Sequence, residues 1–272
     1  SAYAGGWGTG KSVALCVKTL MLCAATPNYS TMIGRLHASD LRNTTLAIWN
    51  QVVPQSWSKQ QNKAEGNYIL RNNSTVLFRH IHDPVRGRQH IASMNVAAIG
   101  VDQAEEISED DFRRLIARRP MQRELKRYFY FTLNPAGHNW LWRRFYDKAE
   151  VRRGHPYPKL KDWDWVYAKK GSIAVAVPTL ENTPQCGGYL PEGYYEILRD
   201  EYPPEWAARY LDCSFEEFEG KVYPAYSLDS VHNIDHIEIP SDWQFGIGID
   251  VGGSVPWAIV RVAFDGAGRA VV

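Results

Sequence analysis

Eight residues near the start of the chain, GGWGTGKS, constrain most strongly what this sequence can fold into. They match G-x-x-x-x-G-K-[ST], a pattern whose glycines let successive backbone N–H groups face phosphate oxygens. The apolar stretch SVALCVKTLMLCAA follows without Pro or Gly and predicts a helix, whose N-terminus adds a positive dipole. We expect nucleotide contacts from Gly5, Gly6, Trp7, Gly8, Thr9, Gly10, Lys11 and Ser12. Lys11 would reach the β and γ phosphates, and the Ser12 hydroxyl would bind Mg²⁺. The alternative is a glycine turn that precedes a helix and binds nothing.

Composition narrows the classes of protein. The 272 residues carry 31 basic and 30 acidic side chains, a net charge of +1, so any contact with nucleic acid is expected to be a local patch. The four cysteines form no C-x-x-C pair, which argues against a disulfide framework or a zinc site. This cysteine pattern fits a reducing cytosol. No apolar run is long enough to span a membrane, and no signal peptide is present.

Apolar strands alternate with amphipathic helices along most of the chain. Strands are predicted in YSTMIGRL, MNVAAIGVD, RYFYFTLNP and GSIAVAVPT, with a hairpin around Asn72-Asn73. Helices are predicted in ASDLRNTTLAIWNQVV, in SEDDFRRLIARR with Ser108 as N-cap, and in HNWLWRRFYDKA. This alternation indicates an α/β fold, a mainly parallel sheet flanked by helices as in P-loop NTPases of the ASCE/RecA-like type. We predict an ATPase domain over 1–190, a helical subdomain and linker over 191–240, and a further domain that begins at 241.

Acidic residues after the strand MNVAAIGVD are the candidates for metal binding and catalysis. Asp102 ends this strand, as does the acid that holds Mg²⁺ in P-loop NTPases. Hydrolysis also needs a group that orients and polarises the attacking water, and the next residue is Gln103, whose amide is a poor base. Glu105 and Glu106 are alternative carboxylates, although either could instead be a solvated or helix-capping acid.

Three further groups are candidates for the reaction. Thr132 and Asn134 close the strand RYFYFTLNP, where they could bind the γ-phosphate and pass its loss to the following helix. Arg86 and Arg88, in the polar loop DPVRGRQH, could act as an arginine finger in the same or a neighbouring subunit, or could belong to an ordinary surface loop. Asp250, in FGIGIDVGG, resembles the first acid of a two-metal nuclease, which needs further acids that do not follow here.

Together, GGWGTGKS, GVDQAEEI, FTLNP and GIGIDVGG, in this order, resemble the large subunit of tailed-phage terminases. GRLHASDLRNTTLAIW and PPEWAARYLDCSFEEFEGKVYPAYS resemble other parts of that family, so the likeness covers nearly the whole chain. The family drives double-stranded DNA into procapsids with an N-terminal ATPase and cuts it with a C-terminal ribonuclease H-like nuclease. The resemblance implies that residues 241–272 begin that nuclease and that both ends of the chain are cut.

By this resemblance Lys11, Ser12 and Asp102 bind ATP with Mg²⁺, Thr132 to Asn134 form the coupling motif, and Asp250 binds nuclease Mg²⁺ or Mn²⁺. Expected partners are DNA, the portal of the procapsid, the small terminase subunit and further copies in a ring, in the host cytoplasm. Trp7 departs from the family, which often has Arg there, and Gln103 replaces the usual Glu. A P-loop helicase or other DNA-remodelling ATPase, and a catalytically inactive nucleotide-binding module, remain alternatives.

Overall fold

The computed structural model describes residues 1–62, 65–81, 94–117, 126–153, 164–216, 239–250, 258–265 and 270–271. The chain divides into two compact units, Ser1–Gly220 and Lys221–Val272. The predicted divisions at 190 and 240 stay predictions. Among the described residues, no helix combines the length and apolar character needed to cross a membrane.

A ten-stranded sheet, in the order β3-β4-β5-β2-β6-β7-β1-β10-β9-β8, forms the centre of the first unit. Its strands are β1 (Ala2–Gly5), β2 (Ser30–Arg35), β3 (Ser58–Asn62), β4 (Asn67–Leu70), β5 (Thr75–His80), β6 (Ala98–Val101), β7 (Tyr128–Leu133), β8 (Glu150–Arg153), β9 (Asp164–Lys169) and β10 (Ser172–Val177). The six central strands of this sheet are parallel to one another, and they are β5, β2, β6, β7, β1 and β10. Antiparallel strands extend both edges. The predicted α/β class with a mainly parallel sheet is confirmed.

Helices lie between the strands of the sheet and also after its last strand, β10. They are α1 (Lys11–Ala25), α2 (Ala38–Asp40), α3 (Leu46–Val52), α4 (Glu109–Ile116), α5 (Trp140–Phe145), α6 (Tyr194–Glu201) and α7 (Pro204–Tyr210). A π-helical turn, Leu41–Thr45, joins α2 to α3. The predicted cap of α4 is present, because the Ser108 hydroxyl accepts a hydrogen bond from the Asp111 N–H at 3.1 Å.

Apolar side chains form two buried clusters in the first unit. One combines β6 and β7 with Phe112 of α4 and Leu141 of α5. The other joins α1 and Trp49 of α3 to the hairpin β4–β5. Cys16 and Cys23 of α1 both lie in the second cluster. Since both clusters pack against the sheet, its carboxyl edge is held rigidly where the loops of the site begin.

The second unit contains three antiparallel strands, β11 (Gln244–Asp250), β12 (Ala258–Phe264) and β13 (Ala270–Val271). Asp250 is the last residue of β11 and is paired in register with Ala258. The family resemblance implies that a ribonuclease H-like domain begins at residue 241 with this apolar strand. That assignment stays a prediction.

Candidate functional site

The glycine loop connects β1 to α1 by a tight curl that its residue types allow. Gly8 and Gly10 have φ angles of 74° and 75°, the left-handed region that glycine enters without steric cost. The Thr9 hydroxyl donates to the Gly6 carbonyl at 2.8 Å, and the Tyr3 hydroxyl donates to the Thr9 carbonyl at 2.7 Å. The loop therefore has one defined conformation that ends at the N-terminus of a fifteen-residue helix.

Lys11 folds back across this loop. Its ammonium group donates to the carbonyls of Gly5 and Gly6 at 2.9 and 2.8 Å. Burial lowers the pKa of Lys11, while the negative charges of Glu105 and Asp102 act in the opposite sense. The cation lies at the curl of the loop, where P-loop proteins bind phosphate oxygens.

Asp102 is the polar centre of the site, and three hydroxyl groups hold its carboxylate. Ser12 donates to Oδ1 at 3.1 Å, and Thr132 donates to the same oxygen at 2.5 Å. Thr45 donates to Oδ2 at 2.6 Å. Asp102 is 1% exposed, so these contacts replace the water that a buried carboxylate would otherwise need. Ser12, Asp102 and Thr132 are brought together as the sequence predicted, whereas Thr45 was not a predicted site residue.

The Asp102 site fits Mg²⁺ that arrives with a nucleotide. Within the described ranges, no group of three or more His, Cys, Asp or Glu side chains is arranged to hold a metal ion. Mg²⁺ does not require one, because it usually binds through one or two carboxylates and substrate phosphates and keeps several waters. The hydroxyl of Ser12 and the carboxylate of Asp102 lie 3.1 Å apart and supply the hard oxygen ligands that Mg²⁺ prefers.

Glu105 is half-buried beside this centre, and one of its carboxylate oxygens accepts a side-chain hydrogen bond. The Asn134 side-chain amide donates to Glu105 Oε1 at 2.6 Å. Glu105 Oε2 and Asn134 Oδ1 are buried without a hydrogen-bond partner. Burial raises the pKa of Glu105 to about 7, although hydrogen bonds from its own backbone and from Asn134 act in the opposite sense. A half-buried carboxylate whose buried Oε2 has no hydrogen-bond partner, and whose pKa is near neutral, suits a general base that activates water.

Gln103 and Glu106 turn toward Arg35 instead. Gln103 has a φ of 50°, and its side-chain oxygen accepts a hydrogen bond from Arg35. The same guanidinium nitrogen pairs with Glu106 at 3.4 Å. Thr44, in the π-turn, accepts a hydrogen bond from Arg35 at 2.5 Å. Sequence analysis also missed Arg35, whose only signal is that it ends a strand in which no other residue is charged.

The last residue of β10 and the segment after it form hydrogen bonds with the glycine loop. The Gly6 N–H donates to the Val177 carbonyl at 2.9 Å, and the Trp7 N–H donates to the Tyr210 carbonyl at 2.7 Å. The Thr179 hydroxyl donates to the Trp7 carbonyl at 2.8 Å, and the Asn182 amide donates to the Gly8 carbonyl at 2.6 Å. These bonds tie both sides of the loop to the chain between β10 and the end of α7.

Trp7 adds an aromatic contact to these bonds. Its ring lies 5.6 Å from Tyr202, 5.2 Å from Trp206 and 5.0 Å from Tyr210. We call these four side chains the aromatic cluster. Arg209 of α7 donates to the Pro135 carbonyl at 2.6 Å. The helix α7 therefore contacts both the glycine loop and the strand end that carries Asn134.

Some predicted residues are not part of this constellation. Arg86 and Arg88 lie outside the described residues. Asp250 belongs to the second unit. Basic side chains on α4 and α5 contact residues close to them in the chain or ring faces nearby. Arg113 pairs with Glu109 and Asp110, Arg143 donates to the His138 carbonyl, and Arg144 lies over the Phe112 ring.

Comparisons with known proteins agree with this fold. The large terminase of a thermophilic bacteriophage superposes with a TM-score of 0.61 at 14% identity, over 97% of this chain and 60% of that chain. The ATPase domain of the Thermus phage P74-26 large terminase gives 0.54 at 12% identity, over 79% of this chain and 87% of that one. The large terminase of bacteriophage HK97 gives 0.50 at 14% identity, over 99% and 57%. No curated protein matches the chain in sequence.

At these identities the superpositions establish the fold alone, and the chain spans 60% of the length of the first of these proteins. The family model described as "Terminase large subunit, T4likevirus-type, N-terminal" matches residues 2–229. This match includes the glycine loop, Asp102, Glu105 and Asn134, and both helices that contact the loop. The chain therefore belongs to the large-terminase family.

Proposed function

We propose that this chain is the ATP-hydrolysing part of a motor that packages viral double-stranded DNA into procapsids. One observation carries the proposal. Three features lie together at one edge of the sheet: the glycine loop, the Asp102 carboxylate that accepts hydrogen bonds from hydroxyl groups, and Glu105, which has one oxygen without a partner. Each has the chemistry that ATP hydrolysis needs. The large terminase of the thermophilic bacteriophage, which shares the fold, has been solved with ADP and with ATP-gamma-S.

The residues divide the work of hydrolysis among them. The loop N–H groups and Lys11 bind the phosphates. Ser12 and Asp102 would hold Mg²⁺, which would neutralise charge on the transferred phosphoryl group. Glu105 accepts a proton from the attacking water through its free Oε2. Asn134 keeps the carboxylate oriented by its bond to Oε1. Gln103 and Glu106 do not take part directly, because Arg35 engages both.

Coupling to movement runs through α7. Loss of the γ-phosphate changes the surroundings of Thr132 and Asn134, and the neighbouring Pro135 carbonyl is bound to Arg209. The aromatic cluster joins the same helix to the glycine loop. A shift of α6 and α7 against the sheet is therefore a direct response to the state of the nucleotide, and moves DNA by one step.

The whole protein is proposed to act with partners in the host cytoplasm. These are double-stranded DNA, the portal of the procapsid, the small terminase subunit and further copies of the chain in a ring. A neighbouring subunit supplies the arginine that the loop lacks at Trp7, from Arg86, Arg88 or another position. Asp250 is proposed to begin a nuclease site that binds Mg²⁺ or Mn²⁺.

ATP hydrolysis, measured with procapsid and DNA present, tests the proposal on the wild type and four variants. Lys11→Ala and Glu105→Ala are expected to abolish turnover. Gln103→Ala and Glu106→Ala are the matched controls and are expected to retain most of it. ATP binding without turnover in the wild type would contradict the proposal and favour an inactive nucleotide-binding module. Turnover without DNA entering the procapsid would favour another DNA-remodelling ATPase.

A further inference from the structure

Thr45 is a buried hydroxyl in a place where packing alone would favour an apolar side chain. Leu41, Thr45, Trp49 and Val53 form one inward stripe, all of them buried. Three of these side chains are apolar. Burying a hydroxyl costs free energy unless it forms a hydrogen bond. The Thr45 hydroxyl donates to Asp102 Oδ2 at 2.6 Å.

The backbone is adjusted to keep Thr45 in this stripe. The stripe repeats every four residues, which is longer than the 3.6-residue turn of an α-helix. The π-helical turn Leu41–Thr45 takes up the difference, so that Leu41, Thr45 and Trp49 stay on the same face. Such turns are rare and occur frequently at functional sites.

The position of the Asp102 carboxylate depends on this contact. Ser12 and Thr132 both donate to Oδ1, whereas Thr45 is the hydroxyl on Oδ2. Without Thr45 the carboxylate is held on one oxygen only and can rotate, because the terminal torsion of Asp has a broad energy profile. Thr45 therefore fixes the plane of the carboxylate.

We propose that Thr45 is a positioning residue for magnesium, which acts by holding Asp102 in the orientation that binds the ion delivered with ATP. This inference rests on the proposed function, since it requires that Asp102 and Ser12 bind Mg²⁺ with a nucleotide. It extends the proposed magnesium site to the connection between β2 and α3, where no sequence motif indicates a functional residue. Groups that orient metal ligands in this way typically contribute 10- to 100-fold to metal affinity.

The test measures the affinity of the purified protein for a fluorescent ATP analogue, with Mg²⁺ and with EDTA. Thr45→Val removes the hydroxyl and keeps the shape, and Thr45→Ser keeps the hydroxyl. Thr45→Val is expected to lose about tenfold or more of the Mg²⁺-dependent gain in affinity, with binding in EDTA unchanged. Thr45→Ser is expected to retain the gain. Thr31→Val is the matched control, since Thr31 is equally buried and its hydroxyl donates to the Thr75 carbonyl at 3.3 Å.

Thermal unfolding checks that each variant is folded, and Thr45→Ala serves if the valine variant is not. The inference is overturned if Thr45→Val keeps the full Mg²⁺-dependent gain. It is also overturned if the serine variant or Thr31→Val loses as much as Thr45→Val, because packing would then explain the effect. A wild type that binds no ATP would overturn the proposed function as well. A Mg²⁺-dependent wild type with an unaffected valine variant would overturn this inference alone.

Discussion

Replacing Glu105 by Gln is expected to stabilise the fold and stop ATP turnover at the same time. The change keeps the shape and the oxygen that accepts from Asn134 but removes a buried charge. Burial raises the pKa of Glu105 from 4.5 to about 7. The folded protein therefore binds the Glu105 proton more tightly than the unfolded chain does. As the pH rises from 4.5 to about 7, the free energy of unfolding falls.

The pKa difference sets the size of the effect. Each pKa unit corresponds to about 1.4 kcal/mol, so ionised Glu105 reduces the stability of the wild type by about 3 kcal/mol at pH 8. At pH 5 the carboxyl is still protonated in the folded state, and the reduction is below about 1 kcal/mol. Glu105→Gln has no such charge, so its advantage over the wild type is expected at pH 8 and is largely absent at pH 5.

The assay is urea unfolding of wild type and variant at both pH values, without nucleotide and with EDTA, together with steady-state ATP turnover. Turnover is expected to fall about 100-fold or more, the contribution typical of a general base, with ATP binding retained. Glu106→Gln is the control, because it breaks the pair with Arg35 and should destabilise the protein at both pH values. A Glu105→Gln variant that is no more stable than wild type at pH 8, or that hydrolyses ATP normally, refutes the reasoning.

Two further changes test the attachment of the glycine loop, and a third tests the contact between α7 and Pro135. Gly6→Ala places a Cβ 2.3 Å from Thr179 Oγ1 and 2.7 and 2.8 Å from two backbone carbonyl oxygens. We expect it to destabilise the first unit by about 1–3 kcal/mol in urea unfolding. Trp7→Ala removes the centre of the aromatic cluster and should cost about 3 kcal/mol in the same measurement, with Trp7→Phe closer to wild type. Arg209→Ala loses the bond to the Pro135 carbonyl. It is expected to reduce DNA-stimulated turnover several-fold while the affinity for ATP stays unchanged; an equal loss of affinity would contradict its place in coupling.

The parts of the site that sequence predicts are those encoded locally. Gly10, Lys11 and Ser12 are adjacent in the chain, and a glycine loop that directly precedes an apolar helix can adopt few conformations other than a phosphate-binding loop. The end of a buried strand at Asp102 is visible from the apolar run before it. Parallel strands bring such ends to one edge, so the meeting of Asp102 with Ser12 follows from topology.

The parts that sequence does not predict depend on packing between distant segments. Thr45 reaches Asp102 only because a π-turn changes the phase of its helix, and no residue pattern announces that turn. Arg35 acquires its role from partners more than sixty residues away in sequence. The edge strand β3, SKQQN, is polar and mostly exposed, so it lacks the alternation by which strands are recognised.

The left-handed backbone at Gln103 has a consequence for how such chains are compared. A φ of 50° directs the residue after Asp102 toward Arg35, and the short 3-10 turn that follows brings Glu105 to Asn134. The backbone conformation of this one residue, rather than distance along the chain, therefore decides which side chain contacts Arg35 and which contacts Asn134. An alignment that looks for the proposed catalytic acid only at the residue after Asp102 would find Gln103 there and would overlook Glu105.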